Sequence, residues 1–437
     1  MHWKKKMTYV FLGVMVCPIS VLAQVYDLNP VVVTANREIM SEMETPASVQ
    51  VIEKDKIESI GARNIYEAMR MVPGVYFNGW GAKGIDFGDH NTTLSVRGVD
   101  QGASVLLNGI PVAANNFTQL SSIDISSVER IEVVKGAAAV LYGPETMTGV
   151  INIITRNGNS SKPEVMLEGG WGSRGNKDFR INYSDNRFQV GYTKEYIGAY
   201  APTTDVYYGW YTDTDVYGHR KSSTKENIYV SAKLSKAVSF LYNRFMSKPI
   251  WGETASDEAE RLTHSYDDIY RVRGDHWLVM YDQNGIKGKA FYSDRTSNLY
   301  NRLWDGTGSS SDEDYKTKRY GFDLQKNWYM DERHRFIAGM MAEKEKYTEL
   351  VGSHKGDRTQ YALYGQYTVQ VNDRYKNIFG LRYQYSSDQV KTYNEWIPQW
   401  QQLYSLSSDE VIYTNIGKSF ILPRIYDYFY TVAAVDL

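Results

Sequence analysis

The sequence predicts a small α+β domain followed by an antiparallel transmembrane β-barrel. Three observations lead there: an export signal at the N-terminus, a helix-and-strand grammar that runs to about Asn157, and a period-two pattern that takes over after Ser160 and continues to the end. Period two places successive side chains on opposite faces of a sheet, whereas a helix repeats near 3.6.

Residues 1–23 form the signal. Lys4, Lys5 and Lys6 precede an apolar run from Tyr9 to Val16, and Val21-Leu22-Ala23 supplies the small-residue cleavage site. The run is too short for a bilayer-spanning helix, and no later stretch carries the eighteen or so apolar residues that one needs. The only cysteine, Cys17, lies inside the signal in a poor lipid-attachment context, so the mature chain is expected to have neither thiol nor disulfide. Lys+Arg number 49 against 51 Asp+Glu, which leaves no electrostatic footprint for nucleic acid. The compositional bias is aromatic: 14% Phe, Trp and Tyr, including 36 tyrosines, a usage that suits a membrane interface or an aromatic-lined pocket.

Residues 24–44 follow as an N-terminal segment. Within it Pro30, Val31, Val32, Val33, Thr34 and Ala35 read as a stiff extended string, because β-branched valines restrict χ1 and proline keeps the start of the run out of a helix. Such a string is either an ordinary first strand or a peptide that adds to a partner's sheet edge.

Residues 45–157 have the grammar of a compact α+β domain. Asn64 and Glu67 mark a capping-box-like helix start, Ile65, Ala68, Met69 and Val72 fall on one helical face, and Pro73-Gly74 ends it. Strands are expected at Thr92–Val96, Ala103–Leu107, Ile110–Val112, Val128–Val134 and Gly149–Thr155, with Asn108-Gly109 as a hairpin turn. Lys135-Gly136-Ala137-Ala138-Ala139 lacks the spacing of a phosphate-binding loop. No nucleophile, base and orienting acid occur together, so an enzyme is not expected.

Residues 158–437 alternate. Phe188, Val190 and Tyr192 interleave with Gln189, Gly191 and Thr193; Tyr361, Leu363, Gly365, Tyr367 and Val369 interleave with Ala362, Tyr364, Gln366, Thr368 and Gln370. Segments of about ten residues, apolar on one face and polar on the other, are the mark of a membrane barrel with a polar lumen. Soluble sandwiches also alternate, but long polar connections at Gly198–Ser223 and Trp304–Lys316 suit the loop asymmetry of outer-membrane barrels.

Several motifs occur in one order: Thr45–Ile52, Ile65–Val75, Leu94-Ser-Val-Arg-Gly98, Val105–Pro111, Val128–Gly136, Leu141–Pro144 and Gly149–Ile154. Together with the signal and the valine string, they resemble the TonB-dependent outer-membrane receptors. The resemblance implies an α+β plug domain inside an antiparallel transmembrane β-barrel, with Pro30–Ala35 as the box that pairs with TonB on the periplasmic side. It also implies that Arg97, Glu129, Arg130 and Glu132 latch plug to barrel wall. The implied activity is import of a scarce metal chelate across the outer membrane, with ferric siderophore, cobalamin and haem as substrate classes in falling order.

Ligand contacts are expected from plug loops that face the exterior: Trp80, Phe87, His90, Asn115 and Phe117. The aromatic rings offer stacking surfaces and His90 a haem ligand, though a lone loop histidine is commonly just solvated. Asp205, Asp213 and Asp215 occupy one barrel loop at a position resembling the calcium loop of cobalamin receptors in the family. Oxygen ligands suit calcium, and the spacing is not that of an EF-hand, since Thr224 stands where a bidentate glutamate is needed. No other cofactor is assigned.

Roughly thirteen strands are encoded, whereas barrels of the family close with about twenty-two. The final residues also lack a terminal aromatic, so the chain reads as C-terminally truncated, a partial barrel. The alternative reading is accordingly a non-transporting binding receptor or an inactive fragment of such a transporter.

Overall fold

The computed structural model describes residues 31–32, 37–38, 40–78, 93–100, 102–112, 120–136, 138–156, 162–199, 206–207, 212–213, 216–255, 266–303, 308–310, 314–425 and 427–430. Two short strands come first, β1 (Val31–Val32) and β2 (Met40–Ser41), paired antiparallel with Val31 opposite Ser41 and Val32 opposite Met40.

The plug follows as β3 (Ser48–Glu53), α1 (Lys54–Ser59), α2 (Ile65–Met69), β4 (Val75–Asn78), β5 (Thr93–Val96), β6 (Val99–Asp100), β7 (Ala103–Leu107), β8 (Ile110–Pro111), β9 (Val128–Lys135), α3 (Ala139–Tyr142) and β10 (Gly149–Thr155). Its main sheet runs β3-β9-β10-β7-β8, with β10 parallel to β7 and the other pairs antiparallel; β4, β5 and β6 form a second, smaller sheet.

The local rules account for these elements. The Asn64 side chain accepts from the Glu67 amide at 2.9 Å, while the Glu67 carboxylate accepts from the Arg63 amide rather than from Asn64's own, a shifted version of the expected box. Ile65, Ala68, Met69 and Val72 are all buried as the helical spacing requires. Asn108 and Gly109 both have positive φ, 49° and 79°, the geometry of a two-residue hairpin turn. Gly149 (φ 151°) opens β10 where a Cβ would stand 2.2 Å from the Val134 carbonyl oxygen, so only glycine lets β10 approach β9 at that point.

The remainder is a single antiparallel ladder. Its strands are β11 (Glu164–Trp171), β12 (Lys177–Ser184), β13 (Phe188–Ile197), β16 (Val216–Lys233), β17 (Val238–Ala255), β18 (Tyr266–Gln283), β19 (Ile286–Leu303), β21 (Tyr315–Tyr329), β22 (His334–Glu349), β23 (Lys355–Asn372), β24 (Tyr375–Asp388), β25 (Thr392–Ser405) and β26 (Val411–Gly417), thirteen along one path. A small hairpin, β14 (Val206–Tyr207) with β15 (Thr212–Asp213), and the three-residue β20 (Gly308–Ser310) on β19 complete it. Strands thus occupy much of the two stretches expected to be loops: β16 already begins at Val216, and β21 at Tyr315. Eighteen-residue strands such as β16 to β19 reach about 60 Å, well beyond a bilayer's hydrocarbon, so they project past it.

The ladder is apolar outside and polar inside. On β24, Phe379 and Leu381 are each 48% exposed while Arg382 and Gln384 are fully buried; Phe188 and Val190 likewise face out and Gln189 faces in. A water-soluble protein does the reverse, and only a hydrocarbon surrounding makes this arrangement stable. Among the described residues no helix is long and apolar enough to cross a membrane; the strands do the crossing.

The interior is not uniformly polar. Tyr229, Leu241, Leu278 and Phe291, on β16 to β19, join Ile65, Leu94, Val105, Ile131 and Ile151 of the plug in one apolar cluster. The plug is therefore seated on a hydrophobic patch of the wall. Around that patch, Asn243 donates to the Ser122 carbonyl (2.8 Å), Tyr229 and Ser231 donate to the Arg156 carbonyl (3.1 and 3.0 Å), and Lys289 donates to the Asn108 carbonyl (2.7 Å). After β26 the chain turns inward: the Phe420 carbonyl accepts from the Glu145 amide, and a short helix α4 (Asp427–Tyr430) lays Phe429 against Tyr347 and His354.

Candidate functional site

Connections at one end of the ladder are all short (185–187, 234–237, 284–285, 330–333, 373–374, 406–410), and the three longest (198–215, 256–265, 304–314) all fall at the other. Short turns mark the periplasmic end of an outer-membrane barrel. The N-terminal segment sits there. Glu38 lies 3.7 Å from Arg335, just after one short turn, and the Glu44 carbonyl accepts from Lys376, just after another. Ser41 and Glu44 close a capping box on each other, which fixes the turn out of β2.

Between β1 and β2 stands Arg37, in a left-handed conformation with φ 52°. Its guanidinium donates to both carboxylate oxygens of Asp323 on β21 (2.8 and 2.9 Å) and to the hydroxyl of Tyr364 on β23 (2.6 Å), which itself donates to Asp323 (3.0 Å). The ring of Tyr142, on plug helix α3, lies 4.7 Å from the guanidinium carbon, and that of Tyr364 5.0 Å. Burial works against this charge. Asp323 outweighs it, with help from the two tyrosines, and holds the group above its ordinary pKa. Lys287 adds a bond to the Arg37 carbonyl, at 3.3 Å. One residue thus ties the β1–β2 hairpin to plug and wall together, beside a cavity of about 160 Å³ lined by Arg37, Tyr142, Lys287, Lys289 and Asp323.

A second contact lies deeper. Helix α3 packs Val140 and Leu141 against Tyr364 and Ile397 of the wall, and buried Arg382 donates to the Val140 carbonyl at 3.4 Å. Glu145, just beyond α3 and half-buried, faces the Arg319–Glu343 pair (2.5 Å), with Glu345 and Arg358 further round. Burial pushes its carboxyl up to about 7; Arg319 and Arg358 pull it down and Glu345 and Glu343 push it up.

Arg97, Glu129, Arg130 and Glu132 are the charges expected to latch plug to wall. Arg130 donates to Glu132 (2.8 Å) and to Glu129 (3.4 Å), so these three meet one another on β9. Arg97 is exposed, with φ 56°, at the turn between β5 and β6, and it stands near Lys135, whose pKa is lowered first by burial and then by Arg97. Ties between plug and wall are made among the described residues by Arg37, Lys289 and Arg382, by Asn243, Tyr229 and Ser231, and by the ion pair of Arg63 with Asp178 on β12 (2.9 Å). The partners lie between 73 and 327 residues apart in sequence, and no local motif marks them.

Of the expected box, Val31 and Val32 form β1, while Pro30, Val33, Thr34 and Ala35 lie outside the described residues. So do the expected ligand contacts Trp80, Phe87, His90, Asn115 and Phe117. Of the three aspartates, the backbone of Asp213 ends β15, and Asp205 and Asp215 lie outside the described residues. The donor geometry that calcium would need is therefore not on view.

Residues 41–150 match the family profile described as the TonB-dependent receptor plug domain. The chain carries a TonB-dependent receptor plug domain. Its sequence relatives include the vitamin B12 transporters BtuB of Vibrio vulnificus, 30% identical over 46% of this chain and 32% of that protein, and of Photobacterium profundum, 34% identical over 38% and 27%. The match thus spans about a third of the length of these relatives. In fold, this receptor is similar to the ferripyoverdine receptor of Pseudomonas aeruginosa (TM-score 0.65, 16% identity, 90% of this chain and 59% of that one). It is similar also to the alcaligin receptor FauA of Bordetella pertussis (TM-score 0.61, 14% identity, 90% and 66%). The receptor is an outer-membrane protein, and its relatives are receptors and transporters rather than enzymes.

Proposed function

We propose that this receptor imports a scarce metal chelate into the periplasm, with energy delivered mechanically through residues Pro30–Ala35. The observation that carries this reading is the Arg37 clamp. Val31 and Val32, from a string able to add to another protein's sheet edge, pair with β2 at the periplasmic mouth, and Arg37 just beyond the string is bonded to plug and wall at once. TonB is the partner that would take the string as an added strand. Pulling on it would load Arg37 first, and through Tyr142 the helix α3 that packs against the wall. The outer membrane maintains no nucleotide supply, so a transport step there needs work done from the inner side.

For the substrate, the relatives between 30% and 35% identical favour a corrinoid. A ferric siderophore is the second reading; it rests on the titles of structures similar in fold, and haem comes after it. Cyanocobalamin and a ferric pyoverdine, added separately to cells that produce the full chain, separate the two. Val32→Pro removes a donor from the box and cannot pair as an added strand. Uptake of the preferred chelate is expected to fall to background in this variant while binding to whole cells is retained. Uptake that survives the substitution would remove coupling from this segment, and binding of neither chelate would remove the substrate class.

A further inference from the structure

Two cavities meet at the Arg37 clamp. The outer one, about 160 Å³, reaches Asp282 and Lys287, which flank the two-residue turn 284–285, so it opens toward the periplasmic end. The inner one, about 30 Å³, lies between Arg319, Glu343 and Gln360 on the wall and Ser104, Pro111 and Glu145 on the plug. Arg37, Gly109, Tyr142 and Asp323 line both, so the clamp is the partition between them. Arg319 precedes Asp323 on β21 by four residues, which places the inner cavity about 13 Å deeper into the barrel. On either side of this seam the plug sits on apolar contacts. Toward β16 to β19 it packs on Tyr229, Leu241 and Leu278, and toward β23 to β25 helix α3 packs on Tyr364 and Ile397. Between these two seats the interface is polar and carries the open volume.

We propose that this seam is the route by which substrate passes the plug: withdrawal of Arg37 joins the two cavities, and the passage widens by displacement of β8 and its turn while the rest of the plug stays seated. The proposal rests on import as the function and assigns its path. Each cavity is smaller than the roughly 300–1,000 Å³ of a site for a drug-sized ligand, so one wall has to move. The barrel side is a continuous hydrogen-bonded ladder from β18 to β23, whereas β8 is the edge strand of the plug sheet and pairs with β7 at two positions, Leu106 with Pro111 and Leu107 with Ile110. So short an edge opens at low cost compared with the ladder. Its turn is pinned to the wall by Lys289, whose ammonium donates to the Asn108 carbonyl at 2.7 Å. Lys289 stands opposite Asp323 in the β19–β21 register, so pin and clamp act at one spot. The charged lining also stays solvated as the gap widens, where parting either apolar seat would expose hydrocarbon to water.

The test is the rate at which 2-sulfonatoethyl methanethiosulfonate labels single cysteines in the purified full chain, with Arg37 intact and in an Arg37→Ala background. Ser104→Cys reports the inner cavity from the plug side and Met341→Cys from the wall, while Ser231→Cys on β16 reports the seated interface away from the seam. Arg37→Ala is expected to raise both inner-cavity rates about ten-fold or more, the change in open population that loss of one charge-assisted hydrogen bond produces, and to leave the rate at Ser231→Cys unchanged. A strand-rich circular dichroism spectrum equal to the wild type's shows that each variant is folded. Unchanged rates at Ser104→Cys and Met341→Cys overturn the proposal, because the cavities then do not join. An equal rise at Ser231→Cys overturns it too, since the whole plug would have loosened. Neither TonB nor substrate is present in this measurement, so the seam can fail while import stands, and uptake in Val32→Pro reports on import separately.

Discussion

Replacing Asp323 with alanine is expected to release the box hairpin in the absence of any substrate. Asp323 holds Arg37 through both carboxylate oxygens, in a site where both side chains are about nine-tenths buried. Removing one partner of such a pair leaves an uncompensated buried charge and costs about 3–5 kcal/mol. That is enough to invert the population of a hairpin whose two strands pair at two positions. A nitroxide on Val32→Cys reads the change directly: its spectrum should narrow in the Asp323→Ala background, and reagents from the periplasmic side should label the cysteine faster. Tyr364→Phe removes a hydroxyl bonded to both charges, worth about 1.5–3 kcal/mol, and should produce a smaller version of the same effect. A spectrum that is unchanged in Asp323→Ala would show that the segment is retained by other contacts, and the route of force through Arg37 would then fail.

The clamp also shows where sequence reasoning stops. Alternation on β13 and β23 could be read residue by residue, because a sheet that faces lipid must place Phe188 and Leu363 outside and Gln189 and Gln366 inside. Helix α2 was equally legible, since its cap and its apolar face lie within nine residues of each other, Asn64 to Val72. Arg37 is different: its partners are 286 and 327 positions away, and nothing in its neighbours distinguishes it from a solvated arginine. Adjacency to the valine string was the one available signal. Helix α3 escaped for a related reason. Four residues are too few to repay helix nucleation on their own, and the helix exists because Val140 and Leu141 find Tyr364 and Ile397 on the wall. Arg130, Glu129 and Glu132, by contrast, lie within four positions on one strand, and Arg130 bonds both carboxylates there.

Glu145 should make the seating of the plug depend on pH. Its carboxyl is raised from an ordinary value of 4.5 to about 7, first by burial and then by the balance of Arg319, Glu345, Arg358 and Glu343 around it. A carboxyl raised on folding binds its proton more tightly in the folded state, so its contribution is fully present below about 4.5 and is lost as pH rises through about 7. The upper bound is about 3 kcal/mol across that window. Glutamine has the shape of the protonated acid and no charge, so Glu145→Gln should hold the low-pH contribution at every pH. The thermal midpoint of the variant is then expected to equal that of the wild type near pH 4.5 and to exceed it by a growing margin toward pH 8. Parallel midpoints across the range would mean that Glu145 is ionised throughout and paired with Arg319, in which case the wall accommodates a charge there and α3 is held by its apolar contacts and Arg382 alone.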